Sequence, residues 1–408
     1  MPDLFDQMQP FFDPRWLRRQ IFETIDFYDP QCVDQKNGGF FHCYLDDGTV
    51  CDRTTKSLVG TARFIYLFSV GTMLGGPAHW KTIAKHGLRF LDEVMRDRIN
   101  GGYYWQAEER QVSDDGKDTY GQAFVLLALT TATKAGVAEA GPQIKELAQT
   151  ITAHLWDDAQ QLCVAKKSRN WHWTDPYRGQ NPNMHLCEAM ITAYEAIGDR
   201  AYLETARTLA RTVTITLAQQ TGGLIWEQYD QNWRPDWVRR AEYAGNEFRL
   251  YGYVLGHSIE WSKLLTKIYA YTRESWLLAR AKALYHQAWQ RAKDDRYGGL
   301  IFSITPDGQP LDTYKYYWVM AEGLGASARL AAADPVQQRA YLDNYQWLFN
   351  YCWNHLIDHR YGAWYPKLTR SNLRTGYEKS PLNKTDYHPI TNEQEAMHVF
   401  EKLVPNAL

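Results

Sequence analysis

The sequence predicts an all-α protein, an (α/α)6 barrel of twelve helices with short β-hairpins in its rim loops, formed as a single catalytic domain over residues 1–408. Three observations carry this expectation. The first is a weak internal repeat. Aspartate-containing loops run into a Gly-Gly-apolar step at Gly38-Gly39-Phe40, Gly101-Gly102-Tyr103, Gly222-Gly223-Leu224 and Gly298-Gly299-Leu300. Degenerate copies stand at Tyr361-Gly362-Ala363-Trp364 and between Trp156-Asp157-Asp158 and Leu162-Cys163-Val164. These six units lie roughly 60 to 76 residues apart, the spacing of a stacked or ring-closed supersecondary repeat. The second is that each unit has the contents of a helix pair. The third is that no polar terminal repeat is present, which an open solenoid would need as a cap.

The helical stripes follow in order. Leu17, Ile21, Ile25 and Tyr28 recur at near-fourfold spacing before Asp29-Pro30 stops the first helix. Comparable apolar periodicity covers 55–73, 78–96, 117–135, 141–155, 183–196, 199–219, 256–271, 275–292, 316–332, 335–356 and 391–404. Asp334-Pro335 reads as an N-cap followed by proline at the first helical position. The Gly-Gly steps, such as Gly222 to Glu227, are expected to form short hairpins at one rim. Segments 55–73, 117–135, 183–196, 256–271, 316–332 and 391–404 follow long aromatic-rich loops, so they are expected to be the inner helices. Their N-termini then converge on one face, where positive helix ends favour developing negative charge.

Composition removes several classes of function. A formal net charge of −2 supplies no field for nucleic acid or an anionic membrane. No stretch approaches the roughly 20 apolar residues of a membrane span, and Met1-Pro2-Asp3-Leu4 does not open a secretory signal. Six cysteines at 32, 43, 51, 163, 187 and 352 contain no CxxC pair, so a reduced cytoplasmic enzyme is expected. Aromatic residues reach 14%, with 16 Trp and 27 Tyr, which favours a carbohydrate pocket because sugar C–H faces pack on aromatic planes. Phosphate loops, nucleophile elbows and dinucleotide fingerprints are missing from the sequence.

The residues able to carry chemistry gather at the starts of the inner segments. Asn181-Pro182-Asn183-Met184-His185-Leu186-Cys187-Glu188 and Gly256-His257-Ser258-Ile259-Glu260-Trp261 each place His and Glu three apart, on one helical face and in hydrogen-bond reach. A carboxylate beside an imidazole fixes its tautomer and tunes it for acid–base work. His388, in Lys384-Thr385-Asp386-Tyr387-His388, is read as lying in a loop before the last helix and facing the same mouth. Glu322 follows the aromatic run Tyr316-Tyr317-Trp318, and Arg63 interrupts an apolar helix; a buried Arg needs a partner, either a carboxylate or a ligand oxygen. Histidines 42, 79, 86, 154, 172, 286, 355, 359 and 398 are read as structural or surface residues.

These segments resemble the N-acylglucosamine 2-epimerase superfamily, and within it the mannose (aldose–ketose) isomerase branch. The resemblance runs from about Arg15 to Leu403. It is most specific in Tyr177 to His185, Gly256 to Trp261 and Lys384 to His388, with support from Lys117 to Phe124 and Trp318 to Glu322. It implies an (α/α)6 barrel with a sugar site at its mouth. His388, His257, Glu260 and Arg63 are then the catalytic set, and Asn181, His185, Glu322, Trp318 and Tyr120 bind substrate. His388 moves the proton at C2; His257, supported by Glu260, acts in ring opening and as the second acid–base group; Arg63 stabilises the enediolate. Val59 and Glu247 depart from the family pattern, Val59 standing for an aromatic and Glu247 for a basic residue.

The expected reaction interconverts D-mannose and D-fructose, with lyxose and xylulose as a further pair, by proton transfer between C2 and C1 through a cis-enediol. No cofactor and no metal are expected, the partner is a monosaccharide, and a homodimer is carried as the candidate assembly. The rival readings are a 2-epimerase with the two imidazoles on opposite faces of C2, a metalloenzyme built on the His-x-x-Glu pairs, and a glycoside hydrolase using Glu227, Asp230 or Asp236. A sugar-binding protein without turnover is the fourth.

Overall fold

The computed structural model describes residues 10–243, 246 and 249–403. Among them are twelve α-helices: α1 (Pro14–Asp26), α2 (Leu58–Met73), α3 (Ala78–Phe90), α4 (Thr119–Lys134), α5 (Gly141–His154), α6 (Gln180–Ile197), α7 (Arg200–Arg211), α8 (Leu255–Thr272), α9 (Ser275–Ala292), α10 (Tyr317–Ala333), α11 (Gln338–His355) and α12 (Tyr387–Leu403). The even-numbered helices form the inner ring. Each packs on the next, α2 on α4, α6, α8 and α10 in turn, and α12 closes back onto α2. The odd-numbered helices pack outside.

Sequence decides which ring a helix joins. In α2 every residue from Leu58 to Gly71 is buried, because the helix is covered on all sides. In α1 one stripe is buried, Leu17, Gln20, Ile21, Thr24 and Ile25, while Arg15, Arg18, Arg19 and Glu23 face solvent. Where a side chain is missing, two helices approach closely. A Cβ on Gly325 of α10 would stand 1.9 Å from Asn392 Oδ1 of α12, so glycine there lets Asn392 enter the ring.

Short strands precede the inner helices and tie each rim loop to the next unit. Thr55–Ser57 pairs with Gln106–Glu108, Lys117–Asp118 with Lys166–Lys167, and Arg178–Gly179 with Gln228–Tyr229. Tyr253–Val254 pairs with Ser303–Ile304 and Lys315–Tyr316 with Lys367–Leu368, all antiparallel. Glu378–Ser380 returns to Cys43–Leu45, closing the circle at the mouth just as α12 closes the barrel.

The repeated Asp…Gly-Gly loops are tight turns at this rim. In the first, Asp34 Oδ1 accepts from the backbone N–H groups of Lys36 and Asn37 (3.0 Å each), and Val33 bridges to Phe40. Lys56 then donates to Asp34 Oδ2 (2.9 Å) and to the Phe40 carbonyl (2.9 Å). Gly39 has φ +67°, and an added Cβ would press to 2.9 Å of the Phe90 ring, so the turn needs glycine on both counts.

Several boundaries differ from the sequence expectation. α6 and α12 start at Gln180 and Tyr387 rather than 183 and 391, because Pro182 and Pro389 are third residues whose missing N–H groups have no intrahelical acceptor in any case. His388 therefore lies in the first turn of α12, not in a loop. Pro335 does not open α11; residues 335–337 form a turn held by Gln337 N–H donating to the Asp334 carbonyl (3.2 Å), and α11 begins at Gln338. Gly222 to Glu227 forms no hairpin of its own. The next residues, Gln228–Tyr229, pair instead with the strand before α6. Among the described residues no helix is long and apolar enough to cross a membrane.

Candidate active site

All six inner helices contribute to one cluster from their N-terminal halves: Arg63 from α2, Tyr120 from α4, Asn181, His185 and Glu188 from α6, His257, Glu260 and Lys263 from α8, Trp318 and Glu322 from α10, and His388 and Asn392 from α12. The three histidines, Arg63 and Tyr120 are buried with a few per cent of their surface exposed. The sequence-predicted set is brought together as a group, but the pairings inside it differ in part.

His388 is held by Glu322. Its Nδ1 lies 2.8 Å from Glu322 Oε1, which also accepts from Asn392 Nδ2 (2.8 Å), while Glu322 Oε2 accepts from Lys263 Nζ (2.5 Å). A carboxylate so placed fixes the Nδ1–H tautomer and leaves Nε2 with the free lone pair. Burial, then the charges of Arg63 and Lys263, hold the His388 pKa well below 6.5, so the ring is a neutral base.

His257 is held by a residue other than the expected one. Its Nδ1 lies 3.0 Å from Glu227 Oε1, on the rim segment before Gln228. Gln180 Nε2 donates to Glu227 Oε2 (2.9 Å), and Trp261 Nε1 fixes that amide by donating to Gln180 Oε1 (2.7 Å). Glu260 is not the partner of His257. The i,i+3 spacing gives reach, yet the imidazole turns towards the rim and Glu260 turns inward. Glu260 Oε1 stands 4.0 Å from His185 Nδ1, and neither carboxylate oxygen has a hydrogen-bond partner among the described residues. Burial and the charge of Glu322 push the Glu260 carboxyl well above its usual range, so it is a neutral acid.

The other His-x-x-Glu pair is made as expected, with His185 Nδ1 3.4 Å from Glu188 Oε2. Burial opposes ionisation of Glu188, but bonds from His185 and Tyr387 and the charge of Lys263 hold its pKa well below the ordinary carboxylate value.

Aromatic rings shape the space between these groups. Trp318 lies 4.8 Å from the His257 ring and 5.7 Å from the His388 ring, so one indole is flanked by both imidazoles. His185 is 6.2 Å from His388. Arg63 sits over Phe124 (4.4 Å) and Tyr387 (5.0 Å), donates to Tyr120 Oη (3.0 Å) and bonds the Asn383 carbonyl. Asn181 Oδ1 is buried and has no partner among the described residues.

Two trios here could hold a metal ion, His185–Glu188–Glu260 and Glu260–Glu322–His388, with ligand atoms within 4.8 Å of one another. The cation that already faces these carboxylates is the Lys263 ammonium. The hydrolase carboxylates are dispersed in use: Glu227 serves His257, Asp230 accepts from the backbone of Asn232 and Arg234, and Asp236 from that of Val238. Val59 is fully buried, and Glu247 lies outside the described residues. Sequence reasoning missed Lys263, Asn392 and the roles of Gln180 and Glu227. Lys263 was detectable by the argument used for Arg63, a charged residue within an apolar inner helix.

Fold and site together define a helical-barrel protein equipped for acid–base chemistry, with two imidazoles each held through Nδ1 by a buried carboxylate. The chain belongs to the N-acylglucosamine 2-epimerase (GlcNAc 2-epimerase) family, whose model matches residues 39–392. It is 36% identical to the D-mannose isomerase of Marinomonas mediterranea over 93% of this chain and 96% of that protein. It is 32% identical to the D-mannose isomerase of Thermobifida fusca over 86% of each. A crystal structure of D-mannose isomerase superposes with a TM-score of 0.92 at 35% identity, covering 96% of this chain and all of that one. A cellobiose 2-epimerase from Spirochaeta thermophila shares the fold at 20% identity and a TM-score of 0.84.

Proposed function

We propose that this protein interconverts D-mannose and D-fructose by proton transfer between C2 and C1 through a cis-enediol. The observation that carries the reading is the pair of Nδ1-anchored imidazoles, His257 and His388, flanking Trp318 within a buried cluster that also holds Arg63. The names of the similar isomerases support the choice of sugar.

The open-chain aldose lies against Trp318. His388 Nε2, neutral because of burial, takes the proton from C2 and returns it to C1 on the same face. The Arg63 guanidinium binds the oxygens that gain charge in the enediolate, where a preorganised cation in a water-poor site is most effective. Glu260, a neutral acid, donates a hydrogen bond to a substrate oxygen instead of supporting His257. His257, whose proton is placed by Glu227, opens the ring and exchanges the hydroxyl proton. Asn181 Oδ1 accepts from a sugar hydroxyl, and His185, Tyr120 and Glu322 complete the binding set.

Incubation with D-mannose in deuterated water tests this. Fructose carrying deuterium at C1 is the expected first product. Glucose labelled at C2 as the first product would replace isomerisation with epimerisation. Sugar binding with no turnover of any aldose, and loss of that binding in His388→Ala, would replace catalysis with binding alone.

A further inference from the structure

Away from the barrel mouth chemistry, three side chains converge on one edge of the rim. Cys43 and Cys51 come from the first hairpin, Cys43–Leu45 and Val50–Asp52, and Glu378 from the strand that closes the rim circle. Their sulfur and carboxylate atoms all lie within 4.8 Å of one another. Regular pairing would not achieve this. Cys43 is opposite Asp52 and Tyr44 is opposite Val50, so Cys51 is the extra residue of a bulge. A second irregularity between Tyr44 and Leu45 shifts the pairing with Glu378. Bulges re-aim side chains, and here both act on the same trio.

We propose that Cys43, Cys51 and Glu378 form a binding site for a thiophilic divalent cation of the zinc type, with water in the fourth position. Two sulfurs and one carboxylate oxygen suit such an ion, and hard cations prefer all-oxygen sets. The local field suits it too. The carboxylates of Asp52 and Glu378 act on the Cys43 sulfur and make the local field negative, which favours a cation. Arg374, the basic residue four positions before Glu378, is committed to Asp46 (2.7 Å). Cys51 and Glu378 are exposed, giving the ion an entry path. Binding converts both thiols to thiolates and releases two protons to solvent, so affinity rises with pH, by up to about 100-fold per unit while both thiols are protonated. The bound ion joins three strands just ahead of Asn383 and His388.

Cadmium titration of the reduced full-length chain tests the site, because a Cd–thiolate charge-transfer band reports sulfur ligation and ignores the imidazole–carboxylate cluster. One equivalent per chain, displaced by zinc, is expected. Cys51→Ser should abolish the band, and Glu378→Gln should weaken binding by at least the roughly 10-fold that follows loss of an outer-shell partner. Circular dichroism of each variant verifies the fold. No band, a band unchanged in Cys51→Ser, or equal binding by Glu378→Gln would each overturn the proposal. So would a thiol titration under denaturing conditions finding two fewer thiols before reduction than after, since the pair would then be a disulfide.

Discussion

Four of the six rim units and the remaining two solve one structural problem differently. Before α2, α4, α10 and α12 a buried lysine clamps the aspartate of its turn: Lys56 to Asp34 (2.9 Å), Lys117 to Asp97 (3.1 Å), Lys315 to Asp294 (3.0 Å) and Lys379 to Asp358. Before α6 and α8 the corresponding positions are Arg178 and Tyr253. Arg178 donates to the carbonyls of Asp175 and Tyr177, and Tyr253 Oη donates to the Thr221 carbonyl (2.8 Å). These two units carry His185 and His257. The turn before α8 has no aspartate to clamp, and Glu227, which follows its Gly222-Gly223 step, holds the His257 imidazole instead. Clamped units also contribute to the cluster, since Arg63 and His388 follow the Lys56 and Lys379 clamps; what the two unclamped units add is a rim carboxylate, Glu227, that holds an imidazole.

The largest expected effect tests the clamp itself. Lys56→Met leaves Asp34 buried without its cation and should lower unfolding stability by about 3–5 kcal/mol, read from urea denaturation. In an unclamped unit, Glu227→Gln should instead lower kcat by about 100-fold, the scale of a general acid–base contribution, with little change in the urea midpoint. A stability loss as large as that of Lys56→Met would erase the distinction between the two kinds of unit.

Acid sensitivity sharpens it further. Burial lowers His42 to about 3, and lowers His185 and His388 below the ordinary 6.5. All three are neutral when folded and bind protons on unfolding. Above pH 6.5 they contribute no pH dependence. Below it stability falls by about 1.4 kcal/mol per pH unit for each histidine still neutral in the fold. His42 accepts from Ser57 N–H (3.2 Å) beside the Lys56 clamp, so His42→Gln should flatten this slope without moving the acid limb of kcat/KM. With His388 as the proposed base, that limb is expected below pH 6.5. The smallest effect is Tyr253→Phe, which removes one neutral hydrogen bond and should cost about 1 kcal/mol. A cost equal to that of Lys56→Met would break the comparison.

Sequence by itself determined the ring. The six-unit repeat and the long aromatic-rich loops before alternate segments assigned inner and outer positions, and the all-round burial of α2 against the single buried stripe of α1 agrees with that assignment. Sequence also located the helix starts that carry His185 and His257 to within three residues, because glycine turns and long loops punctuate the repeat, but it left His388 in the loop before α12. Spacing said which groups could meet within one helix, and it held for His185 with Glu188.

Only the tertiary structure decided which groups meet across helices. The partner of His257 is 30 residues away in Glu227, not three away in Glu260. Lys263 meets Glu322 and Asn392 from two other helices, and Cys43 meets Glu378 only because the barrel closes. Local spacing constrains reach along one element, whereas the choice among partners in reach depends on burial and charge summed over all six inner helices. No single segment contains that sum.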